Sequence, residues 1–295
     1  VRRIVIIIGL ILISACQPLT PRTSPAGFRV LTTTTILADL AHNVAGDLAT
    51  VESLLPPGAD PHTYQASPAD VARISDSALL IVNGVDYEHN LQPIIDNADG
   101  QRQIITASNG LAFEVGSEEI NPHFWVNPRF AIRYVENIRD GLIQADPANA
   151  ESYSANAESY ISQLNDLDAW AEEQVSMLPA ERRLLVTNHD ALGYFAERYG
   201  LQVVGIIIPS IGDEAGTAAG QLATVIDTVK LTGAPAIFLD EVENQTLADQ
   251  VAAETGAEVV DDLYFESLSG ADGPAPTYLE MIRHDVTRIV AALSP

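Results

Sequence analysis

"DPANAESYSANAESYISQLNDLDAWAEEQVSMLP", residues 146–179, decides the architecture. Tyr153, Ala157, Tyr160, Leu164, Leu167, Ala171, Val175 and Leu178 recur at steps of three and four, the period of one helix face. Asp146-Pro147 opens the run and Pro179 follows it. The spacing predicts one helix of roughly 45–50 Å at 1.5 Å rise per residue. A helix longer than a small domain is wide acts as a spine, with a lobe on either side.

Both flanks alternate strand and helix patterns. Before the spine, "FRVLTTT" (28–34), "TVESLLP" (50–56), "ALLIVNG" (78–84) and "RQIITAS" (102–108) read as strands. Helices are expected over Ile36–Ala45, after Ser67-Pro68-Ala69-Asp70 and after Asn127-Pro128. The last two carry start chemistry: a polar cap, then proline where no amide donor is needed. After the spine, "RRLLVTN" (182–188), "LQVVGIII" (201–208), "PAIFLDE" (235–241) and "AEVVDD" (257–262) are strands, each followed by a helical stretch. The expected class is α/β: two lobes with mainly parallel sheets joined by one long rigid helix. The lobes are read as 28–145 and 180–295, with 146–179 between them. Ligands of such sheets bind beyond the carboxyl ends of the strands, so a cleft between the lobes is the expected site.

The N-terminus is of another kind. "VRRIVIIIGLILISAC" (1–16) has a basic pair, a short apolar run and small residues before Cys16, the three-part form of a secretory leader. Ile13-Ser14-Ala15-Cys16 resembles the bacterial lipobox, which implies cleavage after residue 15 and a lipid anchor on Cys16. Cys16 is the only cysteine, so no intramolecular disulfide is possible. Residues 16–27, rich in Pro, Ser and Thr, read as a tether. With 15 basic and 40 acidic residues the net charge is -25, which argues against nucleic acid and against docking on anionic lipid.

Of six histidines, His42 and His284 fall inside helical stretches, and His89 reads as a polar loop residue. The other three share one position type. His62 lies between the second strand and the Ser67 helix start. His123 lies in "NPHFWVNP" before a capped helix, and His189 follows "RRLLVTN". All three sit in loops on the carboxyl-end side of a strand layer, and neutral imidazole is the commonest metal ligand. A fourth donor is expected from "DDLYFESLSGADGP", which offers Asp261, Asp262 and Glu266. Glu266, between Phe265 and Leu268, is the acid in the most apolar setting, costly to bury unless paired or coordinated.

The chain resembles the metal-binding solute receptors of bacterial ABC importers for zinc and manganese, the cluster A-I type. "GADPHTYQASPAD", "NPHFWVNP", "NHDALGYFAERYGL" and "YFESLS" are similar, in order, to that family's four ligand segments. The resemblance implies a metal site of His62, His123, His189 and Glu266, and it implies that the long helix is a rigid connector. It also implies a monomeric, lipid-anchored extracytoplasmic receptor that hands its metal to an ABC permease with its ATPase. Asn121 stands where the family usually has Asp, and the His-rich loop of many zinc members is absent before His123. Glu266 also replaces the Asp of many relatives, which leaves one-oxygen and two-oxygen binding both open.

Three imidazoles and one carboxylate suit zinc, whereas manganese prefers more oxygen and a higher coordination number. Zn2+ is therefore the expected metal and Mn2+ the alternative. A zinc-dependent hydrolase needs an open coordination position and a general base, a role Glu266 could fill if it were not a ligand. The sequence holds no H-E-x-x-H, G-x-S-x-G or glycine-rich phosphate loop. A surface adhesin is the remaining class.

Overall fold

The computed structural model describes residues 27–111, 120–208 and 219–295. The leader, Cys16, most of the tether and residues 112–119, before His123, lie outside the described residues. The first lobe is built from β1 (Arg29–Thr32), α1 (Thr35–Ala45), β2 (Thr50–Ser53), α2 (Pro68–Asp76), β3 (Leu79–Val82), α3 (Gln92–Asn97), β4 (Gln103–Thr106) and α4 (Pro128–Ala145). Then come α5 (Ala150–Ser176), β5 (Leu184–Thr187), α6 (Gly193–Tyr199), β6 (Gln202–Ile206), α7 (Ala219–Thr232), β7 (Ala236–Asp240), α8 (Thr246–Thr255), β8 (Glu258–Leu263) and α9 (Tyr278–Leu293).

Among the described residues the strands form two four-stranded sheets, ordered β2-β1-β3-β4 and β6-β5-β7-β8, and every pairing is parallel. The second order repeats the first, strand for strand, although the sequence shows no repeat. Parallel sheets are covered on both faces, so central strands carry continuous apolar runs. Leu79, Leu80 and Ile81 of β3 and all of β7 are buried. The carboxyl ends of both sheets lead into the loops that carry the histidines.

The helix starts follow the sequence chemistry. Ser67 accepts from the Asp70 amide while the Asp70 carboxylate accepts from the Ser67 amide at 2.8 Å, a reciprocal capping box. Asn127 caps α4 by accepting from the Arg129 amide at 3.0 Å, with Pro128 in the first turn. Each cap fixes where its helix begins, and therefore the length of the loop before it.

The spine is shorter than its hydrophobic period suggests. Residues 147–149 form a 3-10 turn, and α5 proper has 27 residues, about 40 Å at 1.5 Å each. The Asp146 carboxylate accepts from Asn149 at 2.6 Å and from the Tyr153 hydroxyl at 2.8 Å, which holds the tight turn. From there α5 packs on α1 and α4 on one side and on α6 and α9 on the other. Its fully buried Tyr153, Leu164, Leu167 and Val175 join a core that continues into both lobes. The short α3 was not anticipated, because six residues hold too few turns to show a period.

Candidate metal centre

His62, His123, His189 and Glu266 converge: one donor atom from each lies within 4.8 Å of all the others. His62 comes from the β2–α2 loop and His123 from the segment before α4. His189 comes from the β5–α6 loop and Glu266 from the β8–α9 loop. Each lobe thus supplies two. His123, His189 and Glu266 are buried, and the His62 side chain is only 10% exposed. Phe265 and Leu268, expected to make an apolar setting for Glu266, are both buried.

Glu266 Oε1 stands 3.0 Å from Nε2 of both His123 and His189, and those two nitrogens are 3.4 Å apart. His62 Nε2 is 3.5 Å from Glu266 Oε2 and makes no hydrogen bond, although it is buried. A tetrahedral zinc with bonds near 2.0–2.1 Å has ligand–ligand edges of about 3.3 Å. The three spacings among His123, His189 and Glu266 Oε1 lie near such edges, and a buried ring nitrogen without a hydrogen bond is what a cation would satisfy. The donor set therefore fits a metal ion.

Two of the three imidazoles are oriented from behind. Glu243, on the loop after β7, lies 2.7 Å from His189 Nδ1, accepts from Asn188 Nδ2 at 2.8 Å and from the Asp240 amide at 2.7 Å. Asn121 Oδ1 lies 2.7 Å from His123 Nδ1 and accepts from the His123 amide at 3.0 Å. A proton on each Nδ1, donated to these oxygens, leaves each Nε2 lone pair aimed at the common centre. Asn121 also does what an aspartate could not, since its Nδ2 donates to the Asp190 carbonyl in the opposite lobe.

The electrostatics follow from packing three imidazoles around one buried acid. Burial alone would raise the Glu266 carboxyl, but the charge and hydrogen bonds of the surrounding imidazoles hold it well below the usual range. Burial alone would lower His189, yet its hydrogen bonds to Glu243 and Glu266 push it up to about 10. For His123 burial wins, and its pKa is lowered.

The Glu266 loop is held from both lobes. Trp125 Nε1 donates to the Phe265 carbonyl at 2.7 Å, and the Leu268 amide donates to Thr35 Oγ1 at 2.9 Å. From its own lobe, Asp240 accepts from the Glu266 amide at 2.7 Å and Asp285 from the Tyr264 amide at 3.0 Å. Asp285 is fully buried, and burial, with the nearby Asp262 charge, lifts its carboxyl from 3.8 to about 8. Between those values the folded chain keeps a proton that the unfolded chain has lost, so stability falls as pH rises from about 4 to about 8. Asp285→Asn keeps an acceptor for Tyr264 and never ionises. Its melting temperature, measured without metal, is expected to exceed that of wild type at pH 8 and to converge with it toward pH 4. A difference that does not change with pH would refute this.

The other candidates lie elsewhere. Asp261 and Asp262 belong to β8 itself; Asp261 pairs with Gln245, and Asp262 accepts from Arg288 at 2.8 Å. His42 is exposed on α1, and His284 lies on α9, 2.8 Å from the Asp262 carbonyl. His89 is exposed at the mouth of a cavity of about 640 Å³ that leads to His62, His189 and Glu266. Sequence reasoning missed Tyr87 and Glu243. Tyr87 is buried and its hydroxyl donates to Glu266 Oε2 at 3.1 Å. Both residues follow the third strand of their sheets, β3 and β7, so the repeated strand order is the signal that could have found them.

Comparisons with known proteins agree with the fold and show the family. The sequence profile of the family described as "ZnuA: Zinc-uptake complex component A periplasmic" matches residues 30–292. The iron-binding protein YfeA of Yersinia pestis is 38% identical over 273 residues, 91% of this chain and 87% of YfeA. The manganese-binding lipoprotein MntA of Halalkalibacterium halodurans is 34% identical over 270 residues, 91% of this chain and 89% of MntA. The solved structure of the periplasmic zinc-binding protein TroA from Treponema pallidum superposes with a TM-score of 0.84 at 26% identity, covering 90% of this chain and 99% of TroA.

Proposed function

The chain belongs to the zinc-uptake complex component A family, and from that premise we propose that it is the extracytoplasmic receptor that captures a divalent transition metal, zinc by preference, for an ABC importer. It is a binding protein and not an enzyme. The observation that carries the reading is the convergence of His62, His123, His189 and Glu266, two from each lobe, with His62 Nε2 buried and without a hydrogen bond.

Four donors, three of them imidazole, make a set that suits zinc. Manganese is the second reading, favoured by the 34% identity to a relative named as manganese-binding. The metal ties loops of the two lobes together, and release follows when a docked permease loosens them. The partners are a separate permease and its ATPase, and the chain acts as a monomer held to the membrane through lipid on Cys16. Among the described residues no helix is long and apolar enough to cross a membrane.

Competition between zinc and manganese for metal-stripped protein tests the preference. Zinc is expected to displace manganese at equal free concentrations. Retention of manganese under those conditions would transfer the assignment to the second reading.

A further inference from the structure

Glu266 is held by different neighbours at its two oxygens. Oε1 faces His123 and His189, each at 3.0 Å. Oε2 accepts the Tyr87 hydroxyl at 3.1 Å and stands 3.5 Å from His62 Nε2. The second oxygen is therefore at the rim of the donor cluster, near enough to become a ligand, with one of its lone pairs engaged by a protein donor.

The loop that delivers this hydroxyl is built for it. Val85 (φ 55°) and Asp86 (φ 59°) are both left-handed, directly before Tyr87. A β-branched residue rarely adopts that conformation and holds it only where surrounding structure compels it. Glu88 supplies the compulsion: its buried carboxylate accepts from the Asn83 amide at 2.6 Å, the Gly84 amide at 3.0 Å and Thr33 Oγ1 at 2.9 Å. Gly84 (φ 88°) has no room for a side chain, since a Cβ would come within 2.4 Å of Thr106 Cγ2. The Tyr87 ring then packs edge-on against His62 and Trp125, with centroids 5.4 and 5.0 Å away. Ring packing and hydroxyl contact are thus separable, because phenylalanine would keep the first and lose the second.

We propose that Tyr87 is a positioning residue that restrains Glu266 to one metal-binding oxygen and thereby sets the preference for zinc over manganese. The inference rests on the metal-receptor reading above. With Oε2 engaged by the hydroxyl, the donor count stays at four, which suits zinc. Manganese prefers a higher count and more oxygen, so it gains when the carboxylate can offer both atoms.

The test is competitive titration of metal-stripped wild type and Tyr87→Phe with zinc and with manganese, alongside the visible spectrum of each protein loaded with Co2+. The variant is expected to lose about tenfold or more of its zinc-over-manganese ratio, the effect of one hydrogen bond to a charged group. Wild type loaded with Co2+ should give the intense absorption of four-coordination, and the variant the weaker band of a higher coordination number. Equal losses for both metals would show a purely structural role and overturn the inference. So would a weak, higher-coordinate Co2+ spectrum in wild type, which needs no variant to fold. Wild type that takes up none of the three metals would refute the receptor reading itself, and this inference with it.

Discussion

His123→Ala is expected to weaken zinc binding by more than about 100-fold, beyond the loss typical of removing a partner behind a metal ligand. His123 is buried, and its Nε2 lies 3.0 Å from Glu266 Oε1 and 3.4 Å from His189 Nε2. Removing the ring takes away one of four donors and opens a gap between the other three. His89→Ala is the control, because that side chain is exposed at the cavity mouth, outside the group of donors. Competition with a chelator of known affinity measures both. Equal losses in the two variants would mean that the donors have been misassigned.

The second large effect concerns the spine. Asp168, two-thirds of the way along α5, accepts from Arg129 Nε of α4 at 2.9 Å and from Arg198 of α6 at 2.7 and 2.8 Å. The Tyr199 hydroxyl adds a donor at 3.2 Å. One buried carboxylate thus joins a helix of each lobe to the helix between them. Its pKa is lowered because, although burial opposes the charge, the two arginines more than compensate. Asp168→Ala leaves Arg198, whose side chain is only 11% exposed, with Glu172 as its remaining charge partner. The expected loss is about 3 kcal/mol, as for breaking a buried ion pair from one side. Denaturant unfolding of the metal-free protein reads it. Zinc affinity of the folded fraction should change little, because no donor has moved. A loss below about 1 kcal/mol would place Asp168 among ordinary surface pairs.

The sequence reveals the parts of this molecule that depend on local periodicity and helix-start chemistry. The α5 face is readable because Tyr153 to Val175 keep one period and all face the core. His62 and His123 are readable as fixed arms because Ser67 and Asn127 cap the helices just beyond them. Glu266 stands out because a lone acid between Phe265 and Leu268 has to be compensated somewhere. What supports the donors is not readable in this way. Tyr87 meets Glu266 across 179 positions, and Glu243 meets His189 across 54. Those meetings depend on the strand orders β2-β1-β3-β4 and β6-β5-β7-β8, which no short window encodes. Left-handed Val85 is equally hidden, since a β-branched residue rarely adopts that conformation. Asn121 reads as a departure from a family pattern, and only its bond to Asp190 shows the use of an amide there.

In the proposed receptor one metal is held by His62, His123, His189 and Glu266 between the lobes. The most direct measurement is the X-ray absorption spectrum of zinc-loaded protein with the bound metal counted. One zinc per chain is expected, with imidazole scattering and a short oxygen shell. Zinc bound without imidazole, or no stoichiometric uptake by metal-stripped protein, would contradict it.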